Sequence, residues 1–391
     1  MKSTPGTSAS GLANAVTRRS FLQTGALGAM GWGLKGLPLA ASQPRTGNGR
    51  SCIVILNVGG VSHLDTFDMK PDAPREIRGP FKPIRTNIPD IQVSELFPHH
   101  ARIADKFSLV RGCYHTAPAV HDAGLQVVQT GHLTERSKRY PHIGCVTQHV
   151  LEKHAEMPLH VVLPGRLGQT GGYGGQGQNA GFLGESFEPV FADEDNMQLR
   201  DAFDLNQEPL RVRERYGSSR FGKSCLAARR LVERGIRFVT LNTFQTVFNE
   251  PTWDIHGFRP FSTFPDLRNH VAPVYDRAYS ALIEDLFERG LLNSTLVVAL
   301  SEFGRTPQIN AAGGRDHWPH CWTTVLAGGG TVGGRVVGGS DSIGAYPDGN
   351  GFSPGNIHAT IYQALGIRAE AASVFALEAE PIRELFPSGV V

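Results

Sequence analysis

Cysteine is sparse in this 391-residue chain, and its pattern is empty of the usual signals. The five residues Cys52, Cys113, Cys145, Cys225 and Cys321 are scattered, odd in number and never spaced Cys-x-x-Cys. That excludes a small disulfide framework and a thiol-based redox or zinc motif, and leaves buried small hydrophobes as the expectation. Charge of one sign is also missing. Lys and Arg total 38 against 36 Asp and Glu, a net of +2, so nothing draws the chain as a whole to nucleic acid or a charged membrane surface. A long apolar run is absent too. The weakly apolar stretch Thr24–Ala41 is broken by Lys35 and Pro38, whereas a membrane span needs about 20 clean apolar residues. No internal repeat and no linker stand out, so one domain after the N-terminal segment is the simplest organisation.

What is present begins at Thr17-Arg18-Arg19-Ser20-Phe21-Leu22. Paired arginines before Phe-Leu, then a weakly apolar zone, then Leu39-Ala40-Ala41-Ser42, have the order of a twin-arginine export signal. Residues 1–42 are therefore expected to be a signal peptide read by the twin-arginine translocase, and residues 43–391 the working domain, delivered to the periplasm or beyond. Such a chain folds in the reducing cytosol, which agrees with the lack of cysteine pairing. A hydrophobic fraction of 40% supports a sizeable core, while 46 Gly and 25 Pro imply many loops.

Short β-rich apolar runs alternate with helical patterns, which predicts an α/β fold. The expected strands are Cys52–Val58, Phe107–Arg111, Leu159–Leu163, Arg237–Leu241, Thr295–Leu300 and Trp322–Ala327. The clearest helix is Phe264–Arg289, where Phe264, Leu267, Val271, Val274, Ala278, Leu282 and Leu286 make one apolar stripe. Thr263 with Asp266 predicts its capping box, and Gly290 its end. The Gly- and Gln-rich segment 165–184 reads as an irregular loop.

Two glycine motifs fail on context. Gly217–Ser224 fits G-x-x-x-x-G-K-S, yet the charged segment Leu210–Tyr216 before it is no buried strand. Gly328–Gly333 fits G-x-G-x-x-G but runs into Gly334-Arg335-Val336-Val337, so it reads as a turn between strands.

Acidic and imidazole residues gather just beyond the predicted strands: His63, Asp65 and Asp68; His115, Thr116, His121 and Asp122; Asp254 and His256; Glu302 and Arg305, then Arg315, Asp316 and His317. Ligands in open α/β sheets bind outside the carboxyl ends of the strands, so these segments are expected to converge. Carboxylates and imidazoles are ligands for a divalent metal, zinc foremost, with manganese, calcium or iron as alternatives.

The runs Val61-Ser62-His63-Leu64-Asp65-Thr66-Phe67-Asp68, Trp253-Asp254-Ile255-His256, Ser301-Glu302-Phe303-Gly304-Arg305-Thr306-Pro307, Gly314-Arg315-Asp316-His317-Trp318-Pro319 and Ile357-His358-Ala359-Thr360 resemble the domain-of-unknown-function 1501 family across nearly the whole domain. That resemblance implies the alkaline phosphatase and sulfatase superfamily: a three-layer α/β/α sandwich, a mostly parallel central sheet and a metal-dependent ester hydrolase ancestry. It implies metal ligands at Asp254, His256, Glu302 and His317, and Asp65 is a further candidate ligand. Phe303 stands where the superfamily commonly has a ligand His. The superfamily nucleophile is a Ser or Thr opening a helix that leads to Thr-Gly. Here the corresponding helix opens Val120-His121-Asp122 on its way to Thr130-Gly131.

The expectation is thus an exported hydrolase of small-molecule or polysaccharide-derived phosphate or sulfate esters. His121, Asp122 and Thr116 are its catalytic candidates, and Arg305 and Arg315 are placed to grip the anionic ester. The competing expectation is a catalytically silent relative that binds a polysaccharide or partner protein through the same cleft.

Overall fold

The computed structural model describes residues 49–134, 138–151, 158–171, 177–192, 199–248, 250–368 and 379–388. The expected export signal lies outside the described residues. Eight strands form one sheet: β1 Ser51–Leu56, β2 Phe107–Cys113, β3 His160–Leu163, β4 Val190–Phe191, β5 Phe238–Asn242, β6 Thr295–Leu300, β7 Trp322–Gly328 and β8 Arg335–Val337. Their order across the sheet is β8-β2-β7-β6-β1-β5-β3-β4. Every neighbouring pair is parallel except those of β7, which runs antiparallel between β2 and β6.

Side chains of successive strand residues point to opposite faces, and β1 shows the result. Ile53 and Ile55 join one buried cluster, whereas Cys52, Val54 and Leu56 join the other. A strand buried on both faces must be apolar throughout, and all six β1 residues are buried. Helices cover both faces. The five longest helices among the described residues are α1 His121–Thr130, α2 Ile143–Leu151, α3 Arg220–Glu233, α4 Ala272–Glu288 and α5 Pro354–Leu365. Apolar residues of α3 and α4 belong to the Ile53 cluster, and those of α1, α2 and α5 to the Cys52 cluster. The architecture is therefore the expected α/β/α sandwich. All five cysteines are free and buried.

Six expected strands are present to within two residues at their ends. The two missed, β4 and β8, are the sheet's outermost strands, two and three residues long, too short for a period-2 pattern. The long helix is interrupted: Phe264–Asp266 is α-helical, Leu267–Val271 makes a π turn, and α4 follows. Pro273 supplies the reason, since it has no N–H and its ring would crowd the carbonyl four residues back. The Thr263–Asp266 capping box forms as expected. Leu210–Tyr216 is a helix, so no strand delivers the Gly217–Ser224 segment, whose Ser219 caps α3 at the Gly222 N–H.

Candidate metal centre

The carboxyl ends of β1, β5 and β6 lead into the site. The chain leaves β1 through Gly59, whose φ of +116° suits glycine, and whose N–H donates to Glu302 Oε1 at 2.8 Å. A Cβ on Gly59 would stand 2.8 Å from the Asp254 nitrogen, so only glycine lets these two loops meet. Helix α1 comes equally close. A Cβ on Gly124 would lie 2.9 Å from the Glu302 carbonyl oxygen. That approach carries His121, at the first position of α1, over the end of β6.

Asp254 sits at the centre, fully buried. Its Oδ2 is 3.2 Å from His121 Nε2, and its Oδ1 is 3.1 Å from His256 Nε2 and 3.3 Å from His317 Nε2. The outer ring nitrogens are all tied elsewhere. His121 Nδ1 meets Glu302 Oε1 at 2.7 Å, His256 Nδ1 meets Asp316 Oδ1 at 3.1 Å, and His317 Nδ1 meets the Ala119 carbonyl at 2.9 Å. A carbonyl or an ionised carboxylate only accepts, so each Nδ1 carries the proton. Glu302 and Asp316 both stay ionised: burial opposes this, but His121 outweighs it for Glu302, and Asn310 and His256 for Asp316.

Three Nε2 atoms are thereby turned on one carboxylate, and those of His256 and His317 stand only 3.1 Å apart. Burial, helped by the charges of Arg305 and His121, pushes His317 down to about 4, so at neutral pH its Nε2 presents a lone pair. A cation held between these atoms would satisfy the imidazole nitrogens and the carboxylate together. Donor atoms of His121, Asp254 and His317 lie within 4.8 Å of one another. Among the described residues this is the one such group, and His256 adds a fourth donor beside it. Three imidazoles and a carboxylate, each imidazole backed by an outer acceptor, are a donor set that fits zinc or a similar divalent ion. Without a metal a proton takes that place. Burial lowers the His121 pKa, but hydrogen bonds to Asp254 and Glu302 outweigh it and raise it to about 9.

Arg305 holds Asp254 in position. Its Nη2 lies 2.6 Å from Asp254 Oδ1 and also donates to the Gly59 carbonyl, while Nε and Nη1 donate to the carbonyls of Gly60 and Arg315. Burial alone would raise the Asp254 pKa; the Arg305 charge and the three imidazoles instead drive it far below the carboxylate range.

Several expected roles differ from this geometry. Arg305 and Arg315 are fully buried and donate inward, so neither offers a fork to an ester anion. Arg315 pairs with Asp65, Nε to Oδ2 at 2.7 Å, and donates to the Thr306, Pro307 and Ile77 carbonyls. Asp65, expected among the metal ligands, is consumed by that pair and by Ser62 Oγ at 2.5 Å. Glu302 lies behind His121 rather than beside the other donors, while His115 Nε2 fixes its carbonyl at 2.7 Å. Asp122 is not among the converging donors, and its Oδ1 accepts from Thr170 Oγ1 at 2.8 Å. Thr116 is exposed on the connection before α1. Phe303 is fully buried, its ring centroid 4.5 Å from that of His317 and 5.1 Å from that of His121. A wall of the site thus stands where the resemblance places a ligand.

A model of a protein family of unknown function, DUF1501, matches residues 49–199 and 192–383. The chain belongs to the DUF1501 family. No curated protein matches the sequence. Solved structures similar to this DUF1501 chain include a phosphonate monoester hydrolase from Silicibacter pomeroyi, 12% identical over 87% of this chain and 78% of that one, with a TM-score of 0.42. A sulfatase from Pseudoalteromonas sp. is 13% identical over 86% and 76%, with a TM-score of 0.39. A protein of the alkaline phosphatase superfamily from Vibrio parahaemolyticus is 9% identical over 82% and 67%, with a TM-score of 0.40.

Proposed function

We propose that this DUF1501 protein is an exported, metal-dependent hydrolase of phosphate or sulfate esters, taking small-molecule or polysaccharide-derived substrates. The observation that carries the reading is the convergence of three imidazole Nε2 atoms on Asp254, each ring fixed from behind. A divalent ion held there would supply Lewis acidity toward an ester oxygen and toward water near neutral pH. His121, Asp254, His256 and His317 would hold it. Glu302, Asp316 and the Ala119 carbonyl orient the three rings, and Arg305 keeps Asp254 ionised. The side chains of His256 and His317 keep 17% exposure, and that of Asp316 56%, so substrate would enter from their side.

Water is the proposed nucleophile because α1 opens with no hydroxyl. Val120 occupies its N-cap and is 46% exposed. The same residue, together with the Phe303 wall, favours the second reading, a silent relative that keeps the metal and binds an ester-bearing polymer. Export rests on the Arg18-Arg19 signal.

An aryl phosphate and aryl sulfate panel separates the readings. The hydrolase reading expects turnover that a chelator abolishes and zinc or manganese restores. It also expects turnover to vanish in His317→Ala, with no phospho- or sulfo-adduct on Ser or Thr by mass spectrometry. Metal-loaded protein that turns over no ester in the panel supports the silent reading instead. An adduct on Thr116 or Thr66 refutes attack by water.

A further inference from the structure

A cavity of about 370 Å³ opens beside Trp253, the residue before Asp254, where the ends of α3 and of the π turn meet the carboxyl end of β5. This volume is at the lower end of ligand pockets, enough for one or two rings. Phe221, Phe244, Trp253 and Tyr275 line it, and Trp253 meets Tyr275 edge to face at 5.2 Å. Such walls favour a flat, largely apolar body. Trp253 is 2% exposed, and its Nε1 has no hydrogen-bond partner among the described residues. A buried indole N–H without an acceptor is uncommon and fits a ligand oxygen.

The mouth is polar. Ser219, Arg220 and Phe221 place the N-terminal end of the 14-residue α3 on the lining, so the Gly217–Ser224 segment serves this cavity although it is no phosphate loop. Arg220 is exposed and makes no ion pair among the described residues; its one hydrogen bond is to Gln245 Oε1 at 3.3 Å. His270, carried by the π turn, shares the lining, and π turns recur at functional positions. Glu250 is the one acidic side chain on the lining among the described residues. A guanidinium and a helix N-terminus outweigh it for an anion.

We propose that this cavity binds a small molecule made of a flat apolar ring system bearing one anionic group. None of the four donors His121, Asp254, His256 and His317 lines the cavity, and binding there does not depend on ester hydrolysis.

The test is calorimetric titration of the full-length protein with 2-naphthoate and with its neutral isostere naphthalene-2-carboxamide, with and without chelator. Saturable binding of the acid is expected in both conditions, with the amide weaker by about tenfold, the scale of one charge-assisted hydrogen bond. Arg220→Gln, a surface change, should bring the two ligands to similar affinity. Val274→Trp should abolish binding of both, because Val274 lines the cavity yet is 39% exposed and can be enlarged without repacking the core. Absence of saturable binding overturns the proposal, as does equal affinity of acid and amide in the unaltered protein. Binding that survives Val274→Trp in a folded variant places the ligand elsewhere and overturns it too.

Discussion

Glu302 illustrates what one residue contributes when it touches no substrate. Its Oε1 accepts from both His121 Nδ1 and the Gly59 N–H, and its Oε2 from Ser301 Oγ, so it fixes one imidazole from behind. Outer partners of this kind typically govern metal affinity by 10–100-fold. Glu302→Gln keeps the shape but loses the charge. It should weaken zinc binding by about 10–100-fold in a competition titration against a chromophoric chelator, whereas Thr116→Val should leave affinity and turnover intact. Equal affinities for Glu302→Gln and the parent protein would make Glu302 merely structural. At this scale the sequence was partly legible. Asp254, His256, His317 and His121 were recognisable as polar residues after apolar strands. The inward direction of Arg305 and Arg315 was not, because residue type reveals a charge but not whether a carboxylate such as Asp65 waits behind it.

Elements decide whether those residues meet. Strand β1 announced itself by six consecutive apolar or small residues, and α4 by its stripe, because burial on two faces or one leaves a period in the sequence. The contacts between elements left weaker marks. Gly144 is one: a Cβ there would stand 2.6 Å from the His160 ring, so glycine lets α2 settle onto β3. Beneath it His142 and His160 stack at 4.7 Å, and His358 on α5 lies 2.9 Å from the Val128 carbonyl of α1. Burial holds all three imidazoles neutral, taking His142 well below its ordinary value, His160 to about 3 and His358 to about 4. Their unfolded pKa is about 6.5. The stabilisation from keeping them neutral is therefore fully present above pH 6.5 and is lost as pH falls toward 4, because only the unfolded chain takes up protons. His121 has a raised pKa and stays protonated when folded, while the unfolded chain gains that proton between about pH 7.5 and 5.5, so it offsets the slope of roughly one of these imidazoles. Urea unfolding of metal-free protein should show stability falling between pH 7 and 5, by up to about 1.4 kcal/mol per pH unit for each imidazole fully displaced. His160→Gln should flatten that slope. An unchanged slope would mean that these rings are reached by protons in the folded state.

At the scale of the whole molecule, the proposed division of this 391-residue chain into an N-terminal export address and a folded domain can be tested directly. Among the described residues no helix is long and apolar enough to cross a membrane. Replacing Arg18 and Arg19 together by Lys preserves charge but removes the pair that the twin-arginine translocase would read. The variant should remain in the cytoplasm, and normal accumulation outside it would refute the export assignment. The sheet order, with β1, β5 and β6 side by side, was not readable from the sequence, because strand adjacency depends on crossovers rather than on local pattern. That order is what gathers Gly59, Asp254 and Glu302 from positions nearly 250 residues apart. The proposed function needs a cation joining the imidazoles to Asp254, and elemental analysis of full-length protein purified without chelator tests that directly. About one equivalent of a divalent ion is expected, zinc foremost, and the double variant His256→Ala, His317→Ala should lose it while remaining folded. Protein that carries no divalent ion, and that takes up none after reconstitution with zinc or manganese, would contradict the account.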